Sequence, residues 1–173
     1  MRVRDARSVR RRSARFSNPA VLAATVLGLG RWPWGPGTLT SAAVAAGVFL
    51  VAPAASPWLL LGLGVLVAGV GIPLAGRAER ELGQDHPAIT LDEAAGMLIS
   101  LAAAPRSLAG VLLAFGLFRV LDVVKPQPAA ALQRLPGGLG VVADDVAAAG
   151  YAAAVLLVLR LFRLDLPWLF GTS

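Results

Sequence analysis

The sequence predicts an all-α integral membrane protein: a bundle of about four to five short apolar helices with a polar site on its cytoplasmic face. Three observations lead there. Of the 173 residues, 57% are hydrophobic and only 15% are charged, with a mean hydropathy of +0.71, a balance typical of chains that lipid covers. The apolar runs are built from Ala, Leu and Val without the period-two alternation of strands. The ionisable groups outside the N-terminus gather in a few loops instead of being spread along helix faces.

Residues 1–18 read as a basic, disordered tail. Seven Arg and one Asp fall in the first fifteen residues, which leaves nine basic and nine acidic groups in the rest of the chain. The net charge of +6 therefore belongs to the tail. Beside apolar segments, such a tail predicts a cytoplasmic anchor on anionic lipid and not a nucleic-acid arm. "NPAVLAATVLGLG" and "RRSARF" have features of a cleaved export signal, but no small-x-small site precedes "RWPWGPGT".

Residues 19–173 read as one membrane domain. Five apolar segments follow in order: Leu39 to Ala52, Trp58 to Ala75, Ala94 to Ala104, Leu108 to Leu121 and Val146 to Leu164. Several fall short of the roughly 20 residues that cross a bilayer core of about 30 Å. With the tail inside and sides alternating from Leu39, the turns Val51–Pro57 and Pro105–Arg106 lie outside, nearly free of charge. The loops Arg77–Glu93 and Asp122–Asp145 lie inside with most of the ionisable groups. Arg160 and Arg163, at the far end of the last segment, fit as side chains that reach to headgroups. This arrangement predicts a multi-pass protein of the inner membrane with its working face in the cytoplasm.

The absence of Cys excludes disulfides, thiolate metal sites and cysteine nucleophiles. Three acidic clusters remain: Asp92 with Glu93 in "ITLDEAAGM", Asp122 in "FRVLDVVKP", and Asp144 with Asp145 in "GVVADDVAAAG". Each pair precedes an apolar run, where helix capping accounts for one member but not for both. Asp122 sits near a helix C-terminus, where the dipole disfavours an anion, so Arg119 and Lys125, three residues to either side, are its expected local partners. Pro126 turns Lys125 out of helical geometry.

Gathered on one face, five carboxylates repel one another unless a cation is present. Oxygen ligands with neither Cys nor a His cluster predict Mg²⁺ or Mn²⁺ and not zinc, and Mg²⁺ favours phosphate partners. Arg119 and Lys125 then supply cationic contacts to the phosphate. Gly37 and Thr38, in "RWPWGPGTLTS", open a helix whose backbone N–H groups suit an anion. Trp32 and Trp34 read as interface anchors, and His86, the lone histidine, as a structural or solvated loop residue in preference to a proton shuttle.

"WGPGT", "AITLDEAAGMLISL", "FRVLDVVKPQP" and "GGLGVVADDVAAAG", in that order and at these spacings, resemble the phosphatidylglycerophosphatase A family over Trp34 to Gly150. The resemblance implies an integral membrane enzyme that removes the terminal phosphate of phosphatidylglycerophosphate, with Mg²⁺, to give phosphatidylglycerol. It places the family's D-E-x-x-G motif on Asp92, Glu93 and Gly96, and its F-R-x-x-D-x-x-K-P motif on Phe118, Arg119, Asp122, Lys125 and Pro126. Its G-G-x-G-x-x-x-D-D motif falls on Gly137, Gly138, Gly140, Asp144 and Asp145. Gln133 stands where family members often carry an acid before the Arg, here Arg134.

The expected assignment is therefore catalytic Asp92, Glu93, Asp122, Asp144 and Asp145. Of these, Asp92, Glu93, Asp144 and Asp145 are expected to hold Mg²⁺, with Gly37, Thr38, Arg119 and Lys125 binding a phospholipid substrate. Water attack and an aspartyl-phosphate intermediate both remain open. The chain lacks Ser-Gly-His, D-x-D and D-G-x-x-A-R sequences, which argues against other lipid phosphatases, haloacid-dehalogenase-type chemistry and CDP-alcohol transferases. A cation transporter using the same acids is the alternative reading, and it predicts some acids in mid-span. A helical scaffold needs no convergent acids.

Overall fold

The computed structural model describes residues 18–161, and within them the chain is helical with no strand. The Arg-rich tail and Arg163 lie outside the described residues. The elements are α1 (Pro19–Ala24), a 3₁₀ turn (Leu29–Arg31), α2 (Pro36–Val51), α3 (Pro57–Leu82), α4 (Leu91–Ala103), α5 (Leu108–Val124), α6 (Ala129–Leu132) and α7 (Gly138–Leu161). Within the described residues each of the five apolar segments is helical, with Ala52 and Ala104 as caps.

Their starts follow local chemistry. Asn18 caps α1 by accepting from the N–H of Ala20, with Pro19 in the first turn. Ser56 and Ser107 cap α3 and α5 in the same way, accepting from Leu59 and Gly110. Gly35, at φ +63° ahead of Pro36, turns the chain into α2.

α2 and α4 each begin three residues before the expected segment, so Asp92 and Glu93 lie inside α4, and α5 ends three residues later than expected. Two further boundaries differ more. α3 continues through Arg77 to Leu82, residues read above as loop. Straight-chain Arg and Glu extend a helix readily once its apolar part is formed. α7 begins at Gly138, so Asp144 and Asp145 lie in its second turn and do not precede it. The early start depends on close approach: a Cβ on Gly138 would lie 2.0 Å from the carbonyl oxygen of Ile72 in α3. The short helices α1 and α6 were also not anticipated.

α4 is the centre of the bundle. Nine of its thirteen residues are buried, and it packs against α2, α3, α5 and α7. Met97 and Leu101 join Leu60, Phe118 and Leu156 in the main core, among many alanines that let helices approach closely. The outside is apolar: Trp58, Val65 and Leu66 on α3 and Leu157 and Val158 on α7 are all more than half exposed. Such a surface needs lipid to cover it. α3 and α7, with 26 and 24 residues, are long and apolar enough to cross a membrane, whereas α2, α4 and α5 have 16, 13 and 17.

The succession of helices gives the bundle two ends. At one, the starts of α2, α4 and α7 meet the ends of α3 and α5. At the other, the α4–α5 turn is tied to the α2–α3 turn, where the Arg106 guanidinium donates to the Ala55 carbonyl.

Candidate active site

Three helices bring the acids to the charged end. Thr90 precedes α4, and Asp92 and Glu93 stand in its first turn, where carboxylates favour the helix dipole. Asp122 closes α5 two residues before its end, and Asp145 comes from the second turn of α7. Carboxylate oxygens of Asp92, Glu93 and Asp145, one from each, lie within 4.8 Å of one another. Asp122 stands against Asp145. Two glycines make this approach possible. A Cβ on Gly37 would lie 2.0 Å from Glu93 Oε1, and one on Gly96 would lie 2.5 Å from the Phe118 ring and 3.3 Å from the Asp145 carbonyl.

Three carboxylates at that spacing repel by roughly 3 kcal/mol per pair at an effective dielectric near 20. Their protonation reflects it. Burial, then the adjacent Glu93, holds the Asp92 carboxyl well above the usual range. Burial pushes Glu93 up to about 8, with Asp145 and Asp122 adding to the rise while Asp92 and Arg119 oppose it. Asp92 Oδ1, Glu93 Oε2 and Asp145 Oδ2 are buried and have no hydrogen-bond partner among the described residues. Buried oxygen acceptors left unpaired, with no nitrogen or sulfur donor among them, fit a hard divalent cation.

The cations sit beside the acids. Arg119 Nη1 bonds Asp122 Oδ2 at 2.6 Å, the local pair expected from the sequence, and its Nε is buried with no partner. Lys125 takes a left-handed conformation at φ +48° ahead of Pro126, which turns its ammonium across to Asp144 and not back to Asp122. Partial burial pulls the Lys125 ammonium down, but Asp144 more than compensates and holds it above its ordinary value. Asp144 also accepts from the N–H of Asp145 at 3.0 Å.

The expected residues thus divide. Asp92, Glu93 and Asp145 converge with Asp122 and Arg119 beside them, while Asp144 is engaged by Lys125 and stands outside the three-acid group. Gly37 backs Glu93, and Thr38 is exposed at the start of α2. His86 accepts from the N–H of Ala88 at 3.1 Å and lines a separate cavity of about 320 Å³ with Trp32 and Pro36. Gln133 reaches Asp85 at 3.3 Å and lines another cavity, of about 640 Å³, with Glu79 and Arg134. The missing acid at that position therefore takes nothing from the three-acid group.

One contact escaped the sequence reading. Tyr151, the only tyrosine, donates to the Gln127 carbonyl at 2.6 Å and fastens the segment after Lys125 to α7. Its spacing of seven residues from Asp144, two helical turns, was the available signal.

A family model described as phosphatidylglycerophosphatase A matches residues 22–160. The chain belongs to the phosphatidylglycerophosphatase A family. Two relatives carry that name. The Escherichia coli K12 protein is 36% identical over 146 residues, 82% of this chain and 84% of its own length. The Haemophilus influenzae protein is 35% identical over 157 residues, covering 85% and 92%. A Bacteroides thetaiotaomicron protein provisionally named phosphatidylinositol-3-phosphatase is 37% identical over 147 residues, covering 81% and 92%. No solved structure matches the chain. The acid cluster, Arg119 and Lys125 all lie inside the stretch that defines this phosphatidylglycerophosphatase A member.

Proposed function

We propose that the protein hydrolyses phosphatidylglycerophosphate to phosphatidylglycerol and inorganic phosphate, a step of glycerophospholipid biosynthesis. Family membership supports the activity, and one observation carries its chemistry: three carboxylates, each with a buried unpaired oxygen, converge beside two cationic side chains at the charged end of an apolar bundle. The charge segregation supports a site at the cytoplasmic face of the inner membrane, with acyl chains left in the bilayer.

Asp92, Glu93 and Asp145 would hold Mg²⁺, which when bound neutralises phosphate charge and activates water. Arg119, through its unpaired Nε, and Lys125 bind phosphoryl oxygens and stabilise the charge that develops on them. Asp122, beside Asp145, takes the proton from the attacking water as the new P–O bond forms, and returns it to the glycerol oxygen as the old bond breaks. Asp144 fixes Lys125 in place. The acids stand in the first two turns of their helices or at a helix end, close to the water boundary, which favours hydrolysis over the mid-span sites of a cation transporter.

A second substrate is suggested by the name of the B. thetaiotaomicron relative, a phosphatase acting on a phosphoinositide. Both lipids present a phosphomonoester on a polyol headgroup, the chemistry this cluster would engage. The test measures inorganic phosphate released by the detergent-purified protein from each lipid, with Mg²⁺ and then with excess chelator. Metal-dependent release from phosphatidylglycerophosphate is the expected result, and faster release from phosphatidylinositol 3-phosphate would transfer the assignment to that lipid. An intact, monodisperse preparation that acts on neither lipid would overturn the phosphatase reading.

A further inference from the structure

Five buried side-chain polar atoms lack a hydrogen-bond partner among the described residues. Four belong to the cluster: Asp92 Oδ1, Glu93 Oε2, Asp145 Oδ2 and Arg119 Nε. The fifth is the hydroxyl oxygen of Ser41, a fully buried residue on α2 to which no role has been given above.

A serine inside a helix has an easy partner, the carbonyl four residues back. Ser100 takes it, donating to the Gly96 carbonyl at 2.9 Å. Ser41 does not take the equivalent carbonyl of Gly37, so its buried hydroxyl is left without the usual local partner. Its place on α2 is close to the site. Positions four apart on a helix place their Cβ atoms about 5–6 Å apart, and a Cβ at Gly37 would lie 2.0 Å from Glu93 Oε1. Ser41 therefore stands one turn below the point where α2 touches the Glu93 carboxylate, and α2 also packs against α5, which carries Arg119 and Asp122. Its neighbour Thr40 is already paired, donating to Thr90 at 3.0 Å. A buried hydroxyl without a partner costs folding free energy, and a cost kept beside a site signals a ligand that supplies the partner.

We infer that Ser41 is a substrate-binding residue, whose hydroxyl donates to an oxygen of the phosphomonoester group held at the acid cluster. This rests on the proposed phosphatase function and adds α2 to the helices that grip the phosphate. The test compares Ser41→Ala and Ser41→Thr with the wild type. It measures kcat and KM for phosphatidylglycerophosphate, and the rise in melting temperature of the detergent-solubilised protein on adding inorganic phosphate with Mg²⁺.

Ser41→Ala is expected to raise KM about tenfold and to lose most of the phosphate-induced rise, while its own melting temperature without phosphate stays level or increases because an unpaired hydroxyl is gone. Ser41→Thr, which keeps the hydroxyl, is expected to restore both. Unchanged KM and phosphate response in an active Ser41→Ala protein would overturn the inference and leave the phosphatase reading intact. A fall in melting temperature without phosphate, with kcat reduced and KM unchanged, would make Ser41 a packing residue. A wild type with neither turnover nor a phosphate response would overturn both readings together.

Discussion

The two ends of the bundle are made from the same helices and differ in almost everything else. At the end where α2, α4 and α7 begin, five carboxylates gather beside two cations, and buried oxygens go unpaired. At the other, the turns are apolar, and one Arg106 hydrogen bond to the Ala55 carbonyl joins them. Among the described residues, no buried side-chain polar atom in the turns at the second end lacks a partner. The contrast shows where the fold gives up stability: buried groups without partners are costly, and the chain concentrates them where a cation and a phosphate can complete them.

Substitutions at the two ends should separate sharply. The largest effect is expected from Asp145→Asn or Asp92→Asn, each lowering phosphate release about 10³-fold or more while membrane insertion and melting temperature hold or improve as repulsion is relieved. Retained activity in either variant would remove that residue from the proposed metal site.

Next comes the Lys125–Asp144 pair, whose Asp144 side chain is only 4% exposed. Lys125→Ala and Asp144→Asn should each reduce kcat/KM about 100-fold. The double variant should be no worse than the poorer single, because either change already breaks the pair. Additive losses would show that Asp144 acts separately from Lys125.

Gly37→Ala sharpens the comparison further. The nearest atoms to its new Cβ all belong to the movable side chain of Glu93, so the carboxylate is displaced at little structural cost. Activity should fall about tenfold with the melting temperature within about 3 °C of wild type. A large drop in melting temperature would mean that Gly37 serves packing first.

The smallest effect belongs to the other end. Arg106→Ala should cost about 1 kcal/mol of stability or less and leave turnover within about twofold. A strong kinetic defect would break the separation between the ends.

Much of the fold was legible. Runs of Ala, Leu and Val without alternation marked all five long helices, and Pro, Gly and Ser marked the turns between them. The N-terminal extent of α7 was not legible. "PGGLGVVADD" has the composition of a loop, and it is helical because the small surface of Gly138 seats against the Ile72 carbonyl of α3. A contact partner 66 residues away leaves no local trace. The same holds for Ser41, whose type is ordinary and whose unpaired hydroxyl is visible only once α2 is packed.

By itself, then, the sequence determined the apolar helical class, the five candidate acids, the two cations and the oxygen-only character of any metal site, because these follow from residue types and their spacing. Tertiary structure alone decided how the acids divide. Asp144 and Asp145 are neighbours in sequence, but successive residues on a helix point about 100° apart. Packing of α7 between α4 and the end of α5 therefore sends Asp145 to Asp92 and Glu93, and Asp144 to Lys125.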